Sequence, residues 1–101
     1  MGSQEMEETV LADFDAKIGR LCISRAGRDQ GKHCIVKEVI DESYVYIVDG
    51  MMHKVAAPKK KKLKHLVMKP VVLDGIAAKL QDGTKVFDAE IASAIIGSTT
   101  K

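Results

Sequence analysis

Arg25, Arg28 and Lys32 crowd onto a short segment that is broken by Gly27 and Gly31, with Arg20 just upstream. A second concentration of cations follows later in the chain. Lys54 precedes Pro58, and then come Lys59, Lys60, Lys61, Lys62, Lys64 and His65. Guanidinium groups carry planar forks that match two phosphate oxygens at once, while ammonium groups act as compact point charges. Glycines at a turn let the backbone adopt positive φ and bring such cations to one narrow place. The chemistry this supports is the holding of phosphate, not bond making. There is no Gly-x-Ser-x-Gly elbow, no Gly-Lys-Ser/Thr phosphate loop and no His-Glu-x-x-His pair. The Asp41-Glu42 pair sits in a turn and reads as solvated. We therefore expect no enzyme, no catalytic residue and no cofactor.

The elements that must position these cations read as β. Leu21 and Ile23 alternate with Arg20, Cys22 and Ser24, and Cys34 to Ile40 is rich in β-branched residues. Asp41-Glu42-Ser43 is a turn. In Tyr44 to Val48, Tyr44 and Tyr46 point to one face and Val45 and Ile47 to the other. Asp49-Gly50 is the strongest short hairpin signal, so Met51 to Val55 is expected to return from it. Lys62 to Val67 is the expected closing strand. About five short strands with tight turns point to a small barrel, because closure removes exposed edges.

The turn and its flanks resemble the KOW motif of the small large-subunit ribosomal proteins of archaea and eukaryotes and of their bacterial relatives. The likeness is carried by Ile18 to Ile23 and by Ala26-Gly27-Arg28-Asp29-Gln30-Gly31-Lys32. Cys34-Ile35-Val36, Val39-Ile40-Asp41, Tyr44-Val45 and Lys64-His65-Leu66 continue it. It covers residues 17 to 68. The resemblance implies an SH3-like barrel and an RNA ligand, by family ribosomal RNA.

Charge is segregated to match. Residues 1–15 carry a net −5, residues 16–69 a net +8 and residues 70–101 a net −1. We expect an acidic N-terminal extension over 1–16, either one marginal helix through Met6, Val10 and Phe14 or no fixed structure. The barrel occupies 17–69, and a helical extension occupies 70–101. In that extension Asp74 is the expected cap of a helix containing Ile76 and Leu80, with Gly83 as its stop. A second helix follows Asp88 and carries Ile91, Ala92 and Ile95 as an apolar stripe, with Gly97 as its stop. These helices can pack on the barrel, on each other or on a partner. The fold class is thus mainly β, with two short C-terminal helices.

Cys22 and Cys34 are equidistant from Arg28 and are expected to face each other as buried, reduced side chains. Their spacing lacks the close pairs of a zinc ribbon, so no metal is expected. No apolar run is long enough to span a bilayer, and no signal peptide is readable, so the expected location is cytoplasmic.

Arg20, Arg25, Arg28, Lys32, Lys54, Lys59 to Lys62, Lys64 and His65 are the expected RNA contacts. With Phe14, Tyr44, Tyr46 and Phe87 as the whole aromatic complement, recognition is expected to act through shape and backbone of structured RNA. The alternative is a protein-interaction barrel of the transcription or translation machinery, meeting ribosomal or transcription proteins through the apolar stripe of the last helix.

Overall fold

The computed structural model describes residues 14–99, so the expected acidic extension lies, except for residues 14–16, outside the described residues. Five strands form one antiparallel sheet: β1 (Arg20–Ser24), β2 (His33–Val39), β3 (Tyr44–Val48), β4 (Lys59–Lys62) and β5 (Leu66–Val72). Their order is β4-β3-β2-β1-β5. Two helices follow, α1 (Asp74–Asp82) and α2 (Asp88–Thr99). This is the mainly β, SH3-like arrangement expected from the sequence, with one difference in how it ends. The sheet is not closed, since β4 and β5 are its two edges and do not pair with each other. They are joined by the single 3-10 turn Leu63–His65. The edges are blunted chemically instead. β4 is four lysines, whose charge opposes addition of another strand, and β5 carries Pro70, which has no N–H to offer.

Two of the expected strands are placed differently. Met51 to Val55 is a loop, and Lys62 to Val67 is divided between the end of β4 and the start of β5. The strand also runs through Pro70 to Val72 before the helical part begins. The cause of the first change is local and tertiary. Asp49 turns its carboxylate onto the backbone N–H groups of Met51 and His53, at 2.8 and 2.9 Å. Gly50 has φ +79°, and a Cβ there would collide with the carbonyl of Asp88 and the amide nitrogen of Ala92 at the start of α2. The loop is therefore shaped by the helix pressed against it, not by a returning strand.

Alternation along the strands divides the core in two. Cys22, Cys34, Val36, Val45 and Ile47 point into the sheet's own interior with Leu66 and Met68. Leu21, Ile35 and Val48 point the other way and meet Ile76, Val86, Ile91 and Ile95 of the helical part. The helices thus pack on the sheet. Ile91 is fully buried and Ile95 is 9% exposed. Burying one such side chain is worth about 1.5–3 kcal/mol. The apolar stripe that offered a partner surface in the sequence is spent on the protein's own core.

Smaller expectations divide. Gly83 ends α1 at φ +82°, as expected. Asp74 is the first residue of α1 and does not cap it, because Leu73 holds the cap position. α2 runs past Gly97 to Thr99. Cys22 stands opposite Cys34 in the β1–β2 register, with the two Sγ atoms 2.9 Å apart and both thiols free and buried. The hydrogen bond to Cys34, together with burial, pushes the Cys22 thiol far above its ordinary range, so it stays protonated and unreactive.

Candidate nucleic-acid interface

The β1–β2 connection is a compact turn built on Gly27 and Gly31, at φ +76° and +85°. Between them the chain makes one 3-10 turn, Gly27–Asp29. Ser24 donates its N–H to the Lys32 carbonyl at 3.0 Å, and Gly31 returns one to the Ser24 carbonyl at 2.7 Å. Arg25 donates its backbone N–H to the His65 carbonyl at 2.8 Å. That bond docks the glycine turn onto the β4–β5 link.

A clasp inside the turn ties it to two other segments. The carboxylate of Asp29 is folded inward, its side chain only 12% exposed, and accepts a hydrogen bond from His53 Nε2 at 2.8 Å. Lys61 Nζ lies 3.7 Å from the same oxygen and donates to Ser24 Oγ at 3.4 Å. Ser24 Oγ in turn donates to the Ala26 carbonyl at 3.1 Å. The His53 hydrogen bond holds the Asp29 carboxyl below the ordinary aspartate range; burial opposes it, and the neighbouring His53, Lys61 and Lys32 add smaller contributions to the lowering. Glycine turn, the 49–58 loop and β4 are thus fastened at one point.

The four lysines of β4 do not share one role. In the β3–β4 register Lys61 stands opposite Val45 and Lys59 opposite Ile47, whereas Lys60 and Lys62 stand opposite Tyr46 and Tyr44. Because strand side chains alternate, Lys61 is on the core side and its side chain is only 11% exposed. Lys60 and Lys62 lie on the tyrosine side, with Lys60 Nζ 4.6 Å from the centre of the Tyr44 ring. Such a contact adds about 0.5–1 kcal/mol at an exposed site.

Of the residues singled out by sequence, Arg25, Arg28, Lys32, Lys54, Lys59, Lys60, Lys62 and Lys64 are exposed, and His65 is half-buried. Their segments converge through the Asp29 clasp and the Arg25–His65 backbone bond. Lys61 and Arg20 are differently engaged. Arg20 is 7% exposed and donates to the Lys69 carbonyl at 2.8 Å and to Asp15 at 3.1 Å, with its guanidinium over the Phe14 ring. Both cations bond inside the domain. Asp29 and His53 were not singled out as site residues from sequence. The available signal was that Asp29 is the one acid within an otherwise basic turn, which is where a buried counter-charge is needed.

No protein-family model matches the chain. Among curated proteins it is 34% identical over 50 residues to the large ribosomal subunit protein eL14 of Desulfurococcus amylolyticus, covering 50% of this chain and 52% of that protein. It is 31% identical over 58 residues to eL14 of Staphylothermus marinus, covering 57% and 60% of the two chains. It is 44% identical over 34 residues to eL14 of Methanococcus vannielii, covering 34% and 43%. The chain spans about half the length of the curated relatives it matches. The resemblance drawn from the glycine turn to the KOW-containing large-subunit ribosomal proteins therefore holds: over about half its length, this chain is similar to archaeal eL14.

Proposed function

We propose that this protein is a non-catalytic RNA-binding domain that docks on structured RNA of the ribosome by gripping its phosphate backbone. The observation that carries the reading is the Asp29 clasp. By fastening three cation-bearing segments together, it presents Arg25, Arg28, Lys32, Lys54, Lys59, Lys60, Lys62 and Lys64 from a fixed frame. A preset array of cations loses little freedom on meeting a rigid polyanion, and gains from the release of condensed counterions. Similarity to ribosomal proteins supports ribosomal RNA as the polyanion and the cytoplasmic ribosome as the place. Arg20 and Lys61 act in this reading as supports of the frame and not as contacts.

The competing reading, a protein-interaction barrel, drew on the stripe of Ile91 and Ile95, which the sheet already covers. The deciding experiment is sedimentation of cell lysate at low and high salt. Co-sedimentation with the large ribosomal subunit, reversed by high salt, is the expected result. Association that is indifferent to salt would favour a protein partner.

A further inference from the structure

Beside the lysine face lies a cleft of about 470 Å³ that phosphate gripping does not account for. Its walls are the turn bearing Glu42, Ser43 and Tyr44, and the chain from Lys62 through Leu63 to Lys64. The walls are fixed. Asp41 accepts the N–H groups of Ser43 and Tyr44, each at 2.8 Å, and Leu63 donates its N–H to the Ser43 carbonyl at 2.8 Å, joining the two walls. Sites for small organic ligands run to roughly 300–1,000 Å³, so a nucleobase with its sugar fits this volume.

The polar groups here differ from the rest of the basic surface. Glu42 is exposed and makes no ion pair or hydrogen bond among the described residues, although Lys62 and Lys64 line the same cleft. A free carboxylate in a cationic cleft repels phosphate and accepts N–H groups. Tyr44 supplies an aromatic wall, half-buried and steadied by Lys60 over its ring. A flat ring, a carboxylate acceptor and two flanking ammonium groups together match one base and the phosphates on either side of it.

We infer that this cleft is a subsite for a single unpaired guanine of the bound RNA, stacked on Tyr44 with its N1–H and N2–H donated to Glu42 and its flanking phosphates held by Lys62 and Lys64. The inference rests on the RNA-binding reading and adds a base-reading element to it. Guanine offers two adjacent donors on its Watson–Crick edge. Adenine offers an acceptor at N1, which a carboxylate rejects, and uracil stacks less well.

The test uses the full chain and the pentanucleotides UUGUU and UUAUU, followed by nuclear magnetic resonance. With only two tyrosines and no tryptophan, the Tyr44 ring signals are readily assigned. We expect UUGUU to shift the Tyr44 ring and to bind about tenfold more tightly than UUAUU, as one good base contact provides. Glu42→Gln, a change at an exposed side chain, should bring the two pentanucleotides close to parity. Tyr44→Leu keeps an apolar residue against β4 and should weaken both about tenfold through lost stacking. Equal affinity of the unmodified chain for the two pentanucleotides overturns the inference, as does binding that leaves the Tyr44 ring unshifted. Salt-sensitive binding of total ribosomal RNA, with neither pentanucleotide bound, rejects the subsite and leaves the backbone reading intact. Failure to bind ribosomal RNA as well removes both.

Discussion

His53 Nε2 donates to Asp29 Oδ2 across 2.8 Å, joining residues from two different loops of the sheet. The contact is shielded, with both side chains less than one fifth exposed. A charge-assisted bond of this kind contributes more than a surface ion pair, because water competes with it less.

The Asp29 carboxyl is held below its ordinary range in the folded protein, chiefly by His53. The folded state therefore prefers the ionised form. That preference is fully present above the unfolded value, near pH 4, and is lost as pH falls through the lower folded value. Asp29→Asn should cost about 1–3 kcal/mol at neutral pH and flatten the acid limb of the stability curve. Urea titrations of both proteins between pH 2 and pH 7 measure it. Parallel curves would show that the clasp contributes nothing specific.

Gly31 and Gly50 both have positive φ, but only Gly50 is also hemmed in. An added Cβ at Gly31 meets nothing within 4 Å, while at Gly50 it meets backbone of α2. Gly31→Ala should cost about 1–2 kcal/mol of backbone strain, and Gly31→Val more, because β-branching tolerates positive φ still less. Gly50→Ala should exceed Gly31→Ala, since the helix must move as well as the turn strain. Arg28→Ala, at an exposed site, should stay within about 0.5 kcal/mol. Thermal melts should place Arg28→Ala highest, Gly31→Ala below it, and Gly31→Val and Gly50→Ala both below Gly31→Ala. Gly50→Ala melting with Gly31→Ala would mean that α2 yields freely.

The glycine turn, β1, β2 and β3 were legible because short-range signals and the fold agree there: alternation, β-branching and turn residues all indicate the same strands. The Cys22–Cys34 pairing followed from symmetry about the turn. The stretch from Asp49 to Pro58 was not legible. Its hairpin signal is local, whereas its conformation is set by α2, nearly forty residues later in sequence. The same holds within the candidate site. Lys61 looks like its three neighbours in sequence, and what turns it inward is its place opposite Val45 together with the Asp29 and Ser24 side chains that meet it there.

That distinction among the lysines is measurable. Replacing Lys59, Lys60 and Lys62 with alanine should cost no more stability than the Lys60–Tyr44 contact, about 0.5–1 kcal/mol, while lowering RNA affinity by about tenfold or more and reducing the slope of log affinity against log salt by roughly 2–3. Lys61→Ala should do the reverse, lowering stability by about 1 kcal/mol while the slope barely moves. A slope loss from Lys61→Ala equal to that of its neighbours would mean that the side chain swings out to RNA.

Arg25 and Arg28 are exposed on either side of Gly27, and neither forms an ion pair among the described residues. The turn's own acid, Asp29, is satisfied by His53 and Lys61 instead. The two guanidinium groups are therefore unengaged by the fold and open to an external anion. Changing both to lysine keeps the charge and removes the planar fork. If they clamp phosphates, affinity for ribosomal RNA should fall about tenfold while the salt slope stays constant, because the number of displaced counterions does not change. Stability should be untouched, since no internal contact of either side chain is lost. Unaltered affinity would assign both arginines to diffuse attraction and leave Lys32, Lys59, Lys60 and Lys62 as the main phosphate contacts. A parallel fall in affinity and melting temperature would instead mean that the arginines hold the turn in shape.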